Sequence, residues 1–389
     1  MALIAVAVGL FVALRLGLSL LGAFLATQVV PSPCHFEEAL NGWRTLPELL
    51  RDGPAFFLVG VWERWDACWY MKIATYGYEP GERSVAFFPL VPVAVRMVGT
   101  VSTLPFPVAG MLVSAAGYLV GMVGLMRLVG ASHGDQIGRR TALLLSIFPS
   151  AFFLFAPFTE ALFLAAAVWT LLLARERRWP LVIVCATLAG LARAQGIFLA
   201  APIAWEALRA ARDAWRSGGL ATLRGRGEVA LSGLAALAPI AAFMGFGLVA
   251  RSLTGETPFD AQSLWGGTDF HPPWAVVAAS IGWIVERGDA IQALNLLALI
   301  GAAVLLLVGA RRMPIAYSLY AWPPLLLIAT RIQPTPLTST TRYVLVLFPV
   351  FVVVALVAEH RWARAGWIVV SLVVLGVLSA LFVQGEFVA

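Results

Sequence analysis

The stretch AIQALNLLALIGAAVLLLVGA, residues Ala290–Ala310, runs for 21 positions without a charge, and its reading decides the fold. About 20 apolar residues in a helix cross a hydrocarbon core of about 30 Å. One such run also fits a buried helix of a soluble core. Met1–Gln28 and Ala230–Ala250 repeat the pattern, however, and a soluble core does not produce a series of such runs. Composition agrees: 60% of the 389 residues are hydrophobic and 12% are charged. That is roughly half the charged fraction of a soluble domain. The expected fold class is an all-α polytopic membrane protein.

The first run has no basic segment ahead of it and is too long for the apolar region of a cleaved signal peptide. Its single charge, Arg15, falls near the middle, where an arginine is costly unless it faces the bundle interior. The formal charge of +6 does not indicate nucleic acid. The basic residues punctuate the apolar runs instead of forming one stripe, so they read as topology signals. Three cysteines give no disulfide framework. Cys34 and Cys68 share one hydrophilic stretch and either pair or remain free thiols, while Cys185 lies in an apolar run.

Charge clusters between apolar runs mark cytoplasmic loops. The clusters are Arg139-Arg140, Arg175–Arg178, Arg209–Arg226, Arg311-Arg312 and Arg361–Arg364. Placing all five inside gives a bundle of about 11 transmembrane helices with its N-terminus cytoplasmic. A single membrane-embedded domain, residues 1–389, is expected. It carries a first extracytoplasmic loop over 30–106 and a second external region over 251–288. Residues 85–101 contain Pro89, Pro92 and Arg96, and are expected to lie as a helix at the outer interface rather than to cross. Pro180–Ala207 needs two short helices with a turn near Arg193-Ala194-Gln195-Gly196, or the next cluster falls outside. Broken helices are tolerated in a membrane only where protein or a water-filled cavity satisfies the freed backbone groups, so the break points to a site.

The first loop is densest at Trp62-Glu63-Arg64-Trp65-Asp66-Ala67-Cys68-Trp69-Tyr70-Met71-Lys72. Its tryptophans fit an interfacial belt as well as a site. Two features favour chemistry. Asp66 is flanked by aromatics that can position a carboxylate as a general base. Arg193 and Arg342 fall on the same side, and a guanidinium fork suits a phosphate. Glu37-Glu38 suits either a solvated pair or a divalent cation. No nucleotide-binding G-x-x-x-x-G-K-[ST] and no zinc-ligand spacing occurs, and no cofactor is expected.

These residues resemble a known family. Arg64–Tyr70, Ile73-Ala74, Gly77-Tyr78 and Ala86–Pro92 are similar to the first-loop signature of the PIG-V mannosyltransferases. The resemblance continues in order at Phe148-Pro149 with Phe158–Phe163, at Leu191–Gly196, at Ala261–Gly266, and at Thr341-Arg342-Tyr343 with Phe348-Pro349. It implies a GT-C-type glycosyltransferase bundle and a polyprenyl-phosphate-mannose donor. It also implies an extracytoplasmic aspartate as the base, here Asp66. On that implied chemistry Arg193, Arg342, Lys72 and Tyr343 are expected at the donor, and Arg64, Trp65, Trp69, Glu160 and Gln195 around the substrate. Glu160 also reads simply as an acid favoured at a helix N-terminus. The implied partners are the lipid-linked donor, a glycolipid, glycan or protein acceptor, and the bilayer, with a bacterial plasma membrane as the location. The chain departs from eukaryotic members at Cys68-Trp69, so their GPI acceptor is not carried over. The competing readings are a transporter or flippase of a lipid-linked substrate, or a related enzyme using another polyprenyl-linked sugar. Functional residues crowded on the outer loops favour an enzyme over a transporter.

Overall fold

A computed structural model describes residues 1–26, 48–50, 53–263, 270–333, 335–358 and 361–388. Helix α1 (Ala2–Ala26) precedes the loop helices α2 (Gly53–Leu58), α3 (Asp66–Tyr76) and α4 (Leu90–Ser102). Next come α5 (Phe106–His133), α6 (Asp135–Ser146), α7 (Glu160–Arg175), α8 (Trp179–Ala192) and α9 (Ala200–Arg216). The long α10 (Leu223–Thr254) leads to α11 (Pro258–Ser263) and α12 (Pro273–Arg287). Then follow α13 (Ala290–Gly309), α14 (Ile315–Ile328), α15 (Thr340–Leu345), α16 (Phe348–Val357) and α17 (Arg361–Val383). Between α14 and α15 a small antiparallel hairpin pairs Ile332–Gln333 with Thr335–Pro336.

Helices α1, α5, α10, α13 and α17 are long and apolar enough to cross a membrane, and α4, α8, α14 and α16 are shorter apolar helices. Large apolar side chains face outward along them, including Leu16 and Leu20 on α1, Leu234 and Leu237 on α10, and Val369, Val370 and Val373 on α17. The interior, by contrast, holds Glu160, Arg193 and Arg342. Apolar outside and charged within is the arrangement of an integral membrane protein.

Small residues set the central packing. Gly117 of α5 lies so close to α7 that an added Cβ would stand 2.9 Å from the Leu162 nitrogen. Backbones approach this closely only where a side chain is absent. The rings of Tyr118, Phe152, Phe153, Phe155 and Phe158 fill the layer beside this contact and are fully buried. Arg15 faces inward as expected, donating to the Leu58 carbonyl and standing 5.5 Å from the Trp62 ring centroid.

The helix expected within 85–101 is α4, whose 13 residues span about 20 Å. It packs on α3, α5 and α8 and exposes Val93, Met97 and Val101. One expectation changes. The basic stretch Arg209–Arg226 is expected as a loop, yet α9 runs on to Arg216 and α10 already starts at Leu223. The reason is amphipathicity: Ile203, Ala207 and Ala210 are buried at helical spacing, which leaves the charges the opposite face. The region 251–288 holds α11 and α12. Cys34, Glu37, Glu38, Leu264, Trp265 and Gly266 lie outside the described residues. Cys68 is buried and disulfide-bonded, and Cys185 is a free thiol.

Candidate active site

Asp66 opens α3, where an acid is favoured by the helix dipole. The preceding Trp65 has φ +54°, a left-handed conformation that costs a side-chain-bearing residue of order 1–3 kcal/mol and persists only where surrounding packing enforces it. Its ring meets Phe387 edge-on, with centroids 5.0 Å apart. This bend turns the chain so that Asp66 faces an internal cavity.

Arg342, in α15, donates from Nη1 to Asp66 Oδ2 at 2.5 Å and from Nε to Glu160 Oε1. Its guanidinium also lies against the Phe158 and Phe153 rings, 4.8 and 5.0 Å from their centroids. Glu160 opens α7 and is fully buried. The same Glu160 oxygen accepts from Arg193 Nη1, and Arg193 Nε donates to Gln195 Oε1 at 3.0 Å. Four separate segments thus meet in one chain of charges running Asp66, Arg342, Glu160, Arg193. Each buried charge has an opposite neighbour, without which its burial would cost several kcal/mol.

Arg193 stands at the break between α8 and the 3-10 turn Ala194–Leu199, its backbone extended at φ −158° and ψ 153°. Gly196 makes the break: a Cβ there would sit 2.3 Å from the Ala189 carbonyl oxygen, so only glycine lets the chain fold back on α8. The expected discontinuity in Pro180–Ala207 is therefore present, and it carries a side chain into the site.

The cavity has a volume of about 480 Å³, within the range of roughly 300–1,000 Å³ usual for small-molecule sites. Of the residues singled out from sequence, Trp65, Asp66, Trp69, Arg193, Gln195, Arg342 and Tyr343 line it. Three do not. Glu160 stands behind the two arginines. Lys72 is held by Glu82 at 2.5 Å, with both side chains largely buried. Arg64 is turned away and donates to the Val383 carbonyl of the last helix at 3.1 Å.

Sequence reasoning passed over Tyr70, Gln262, Arg331 and Phe387, all on the cavity wall. Tyr70 was legible, since it follows Asp66 by four positions and shares its helix face. Burial, reinforced by the Asp66 carboxylate, pushes the Tyr70 phenol up, so it stays protonated and can donate to a substrate oxygen. Arg331 follows the end of α14 by three residues and reads in sequence as another charge at a helix end. Phe387 follows α17 and has no sequence signal.

An integral membrane bundle enclosing a carboxylate, an arginine network and tryptophans around one cavity is the architecture of a membrane-embedded enzyme acting on a polar substrate. Residues 6–213, more than half of the chain, match the family described as Mannosyltransferase (PIG-V), and the chain belongs to that family. Asp66 and the Glu160–Arg193 pair fall inside the matched region. No curated protein sequence matches. Among solved structures, the crystal structure of the Archaeoglobus fulgidus oligosaccharyltransferase complex with Zn and sulfate is similar at 12% identity, with a TM-score of 0.42. The match covers 96% of this chain and 53% of that one, so the chain spans about half the length of that relative. A likeness at that level assigns no residue a role.

Proposed function

We propose that the chain is an inverting glycosyltransferase that moves a mannose from a polyprenyl-phosphate-mannose donor to an acceptor hydroxyl at the extracytoplasmic face of the membrane. The observation that carries the reading is Asp66, the one carboxylate among the described residues that line the cavity. Retention of configuration by double displacement needs a second carboxylate as its partner across the scissile bond. Glu160 is buried behind Arg193 and Arg342 and does not reach the cavity. A single displacement therefore fits best. Asp66 takes the proton of the acceptor hydroxyl, and that oxygen attacks the anomeric carbon from the face opposite the phosphate. The bond between the anomeric carbon and the phosphate oxygen breaks, and its electron pair leaves with the lipid phosphate. A phosphate leaves without protonation, so no general acid is required.

The family match supports mannose as the sugar. The extracytoplasmic side is supported by the positions of charge: Glu160 and Arg175 stand at opposite ends of α7, and Arg178 and Arg193 at opposite ends of α8. The site therefore lies at the end of these helices away from the basic cluster 175–178, the end that faces outward if basic loops stay inside. Arg193 and Arg342 enter this scheme as the frame that orients Asp66, each being bound to a carboxylate already.

The test is transfer of radiolabel from polyprenyl-phosphate mannose into a membrane extract, with the glucose and arabinose analogues alongside. Mannose transfer by the wild type, reduced by at least about a hundredfold in Asp66→Asn, is the expected result. Asp66→Asn keeps an acceptor oxygen for Arg342 but removes one counter-charge; because the Asp66 side chain is 29% exposed and Arg342 keeps Glu160, the protein stays folded with a smaller loss of thermal stability than Glu160→Gln. Transfer from none of the three donors, or undiminished transfer by Asp66→Asn, would refute the proposal.

A further inference from the structure

We infer that Arg331 is the residue that binds the donor phosphate. The inference rests on the proposed glycosyl transfer. Three guanidiniums face the cavity, those of Arg193, Arg331 and Arg342. Arg193 and Arg342 are committed to Glu160 and Asp66. Arg331 has no carboxylate partner among the described residues. Its contact there is with the Phe270 ring, 5.9 Å from the guanidinium carbon, and its Nε is buried without a hydrogen-bond acceptor. A buried donor left unmet costs about 1–3 kcal/mol, a cost removed when an acceptor enters.

Position supports the same assignment. Arg331 follows α14, whose last residues Leu327 and Ile328 line the cavity beside it while Leu326 on the same turn is exposed. A phosphate on Arg331 thus has an apolar path for its isoprenoid chain along the end of α14 toward the bilayer. The backbone there is fixed from two sides, by the bridge between Phe270 and Arg331 and by the hydrogen bond from His271 N to the Thr330 carbonyl at 2.8 Å.

As the anomeric bond breaks, its electron pair moves to the phosphate oxygen and the acceptor proton moves to Asp66. The second charge growing on the phosphate then faces Arg331, where a fixed cation lowers the barrier.

The experiment measures binding of polyprenyl monophosphate, which carries no sugar, to the purified full chain through quenching of its tryptophan fluorescence. The uncharged polyprenol serves as the comparison. Arg331→Gln weakens monophosphate affinity about ten- to a hundredfold, the worth of a charge-assisted hydrogen bond, and leaves polyprenol binding unchanged. Arg331→Lys falls between, and Arg342→Gln loses transfer while keeping monophosphate affinity within about threefold. If Arg331→Gln binds the monophosphate as the wild type does, or if Arg342→Gln is the variant that loses it, the assignment to Arg331 is overturned while the glycosyl-transfer reading stands. A wild type that does not bind the monophosphate overturns the glycosyl-transfer reading itself, and Arg331's role with it.

Discussion

Glu160→Gln removes one charge and leaves the shape of the side chain nearly intact. In the wild type a fully buried carboxylate faces two guanidiniums whose side chains are 8% and 10% exposed. At an effective dielectric constant of about 20, each such contact is worth about 4 kcal/mol before desolvation is counted. Uncharging Glu160 recovers part of that through its own desolvation, but leaves both arginines buried with only Asp66 as counter-charge. Breaking a buried pair by removing one partner costs about 3–5 kcal/mol, and that is the expected loss. The amide oxygen of Gln still accepts from Arg342 Nε, but without charge it holds the guanidinium less firmly toward Asp66, so kcat falls by about ten- to a hundredfold. Donor KM changes little, because Arg331 does not touch Glu160. The measurements are unfolding in mixed detergent and single-turnover transfer on the same preparation. The double variant Glu160→Gln/Arg193→Gln discriminates further: by removing one of the stranded cations it is more stable than Glu160→Gln alone. Stability within about 1 kcal/mol of wild type for the single variant, or simply additive losses in the double, would show that the charge network does not hold the site.

Two further outcomes test the frame around the cavity. Gly117→Val places a side chain 2.9 Å from the Leu162 nitrogen and 3.0 Å from the Ala161 carbonyl carbon. The α7 backbone must shift, at about 1–3 kcal/mol, and because Glu160 opens that helix, thermal stability and transfer fall together; transfer preserved at reduced stability would uncouple them. Lys72→Met strands the buried Glu82 and lowers thermal stability by about 1–3 kcal/mol, while donor KM stays within about twofold. Lys72→Met/Glu82→Leu regains that stability, and a large rise in donor KM in either variant would return Lys72 to the donor.

Much of the fold was legible because its signals are local. Run length located α1, α5, α10 and α13, and the charge clusters fixed which neighbours had to form hairpins. The break at Arg193-Ala194-Gln195-Gly196 followed from counting crossings, before any contact was known. The misreading of Arg209–Arg226 came from treating charge as a loop signal. The same residues carry a helical period, with Ile203, Ala207 and Ala210 spaced to bury one face, and that period takes precedence once a neighbour such as α10 is there to cover it.

The site was legible in its membership but not in its pairing. Asp66 and Arg342 are 276 positions apart, and Glu160 and Arg342 are 182 apart, so nothing local records that these charges neutralise one another. Seen as isolated letters, Arg193 and Arg342 suit a phosphate and Arg331 suits a topology signal. On the inference above the assignment inverts in the folded chain, because a low-dielectric cavity does not respond to the number of arginines on its wall. It responds to the charge left after pairing. Two of the three guanidiniums serve to make Glu160 and Asp66 tenable in the interior, and in doing so give up their appeal to an anion. The residue that looked least committed in sequence is the one whose charge remains available. The same pairing assigns the two oxygens of Asp66 in the proposed reaction: Arg342 occupies Oδ2, which leaves Oδ1 to receive the proton of the acceptor.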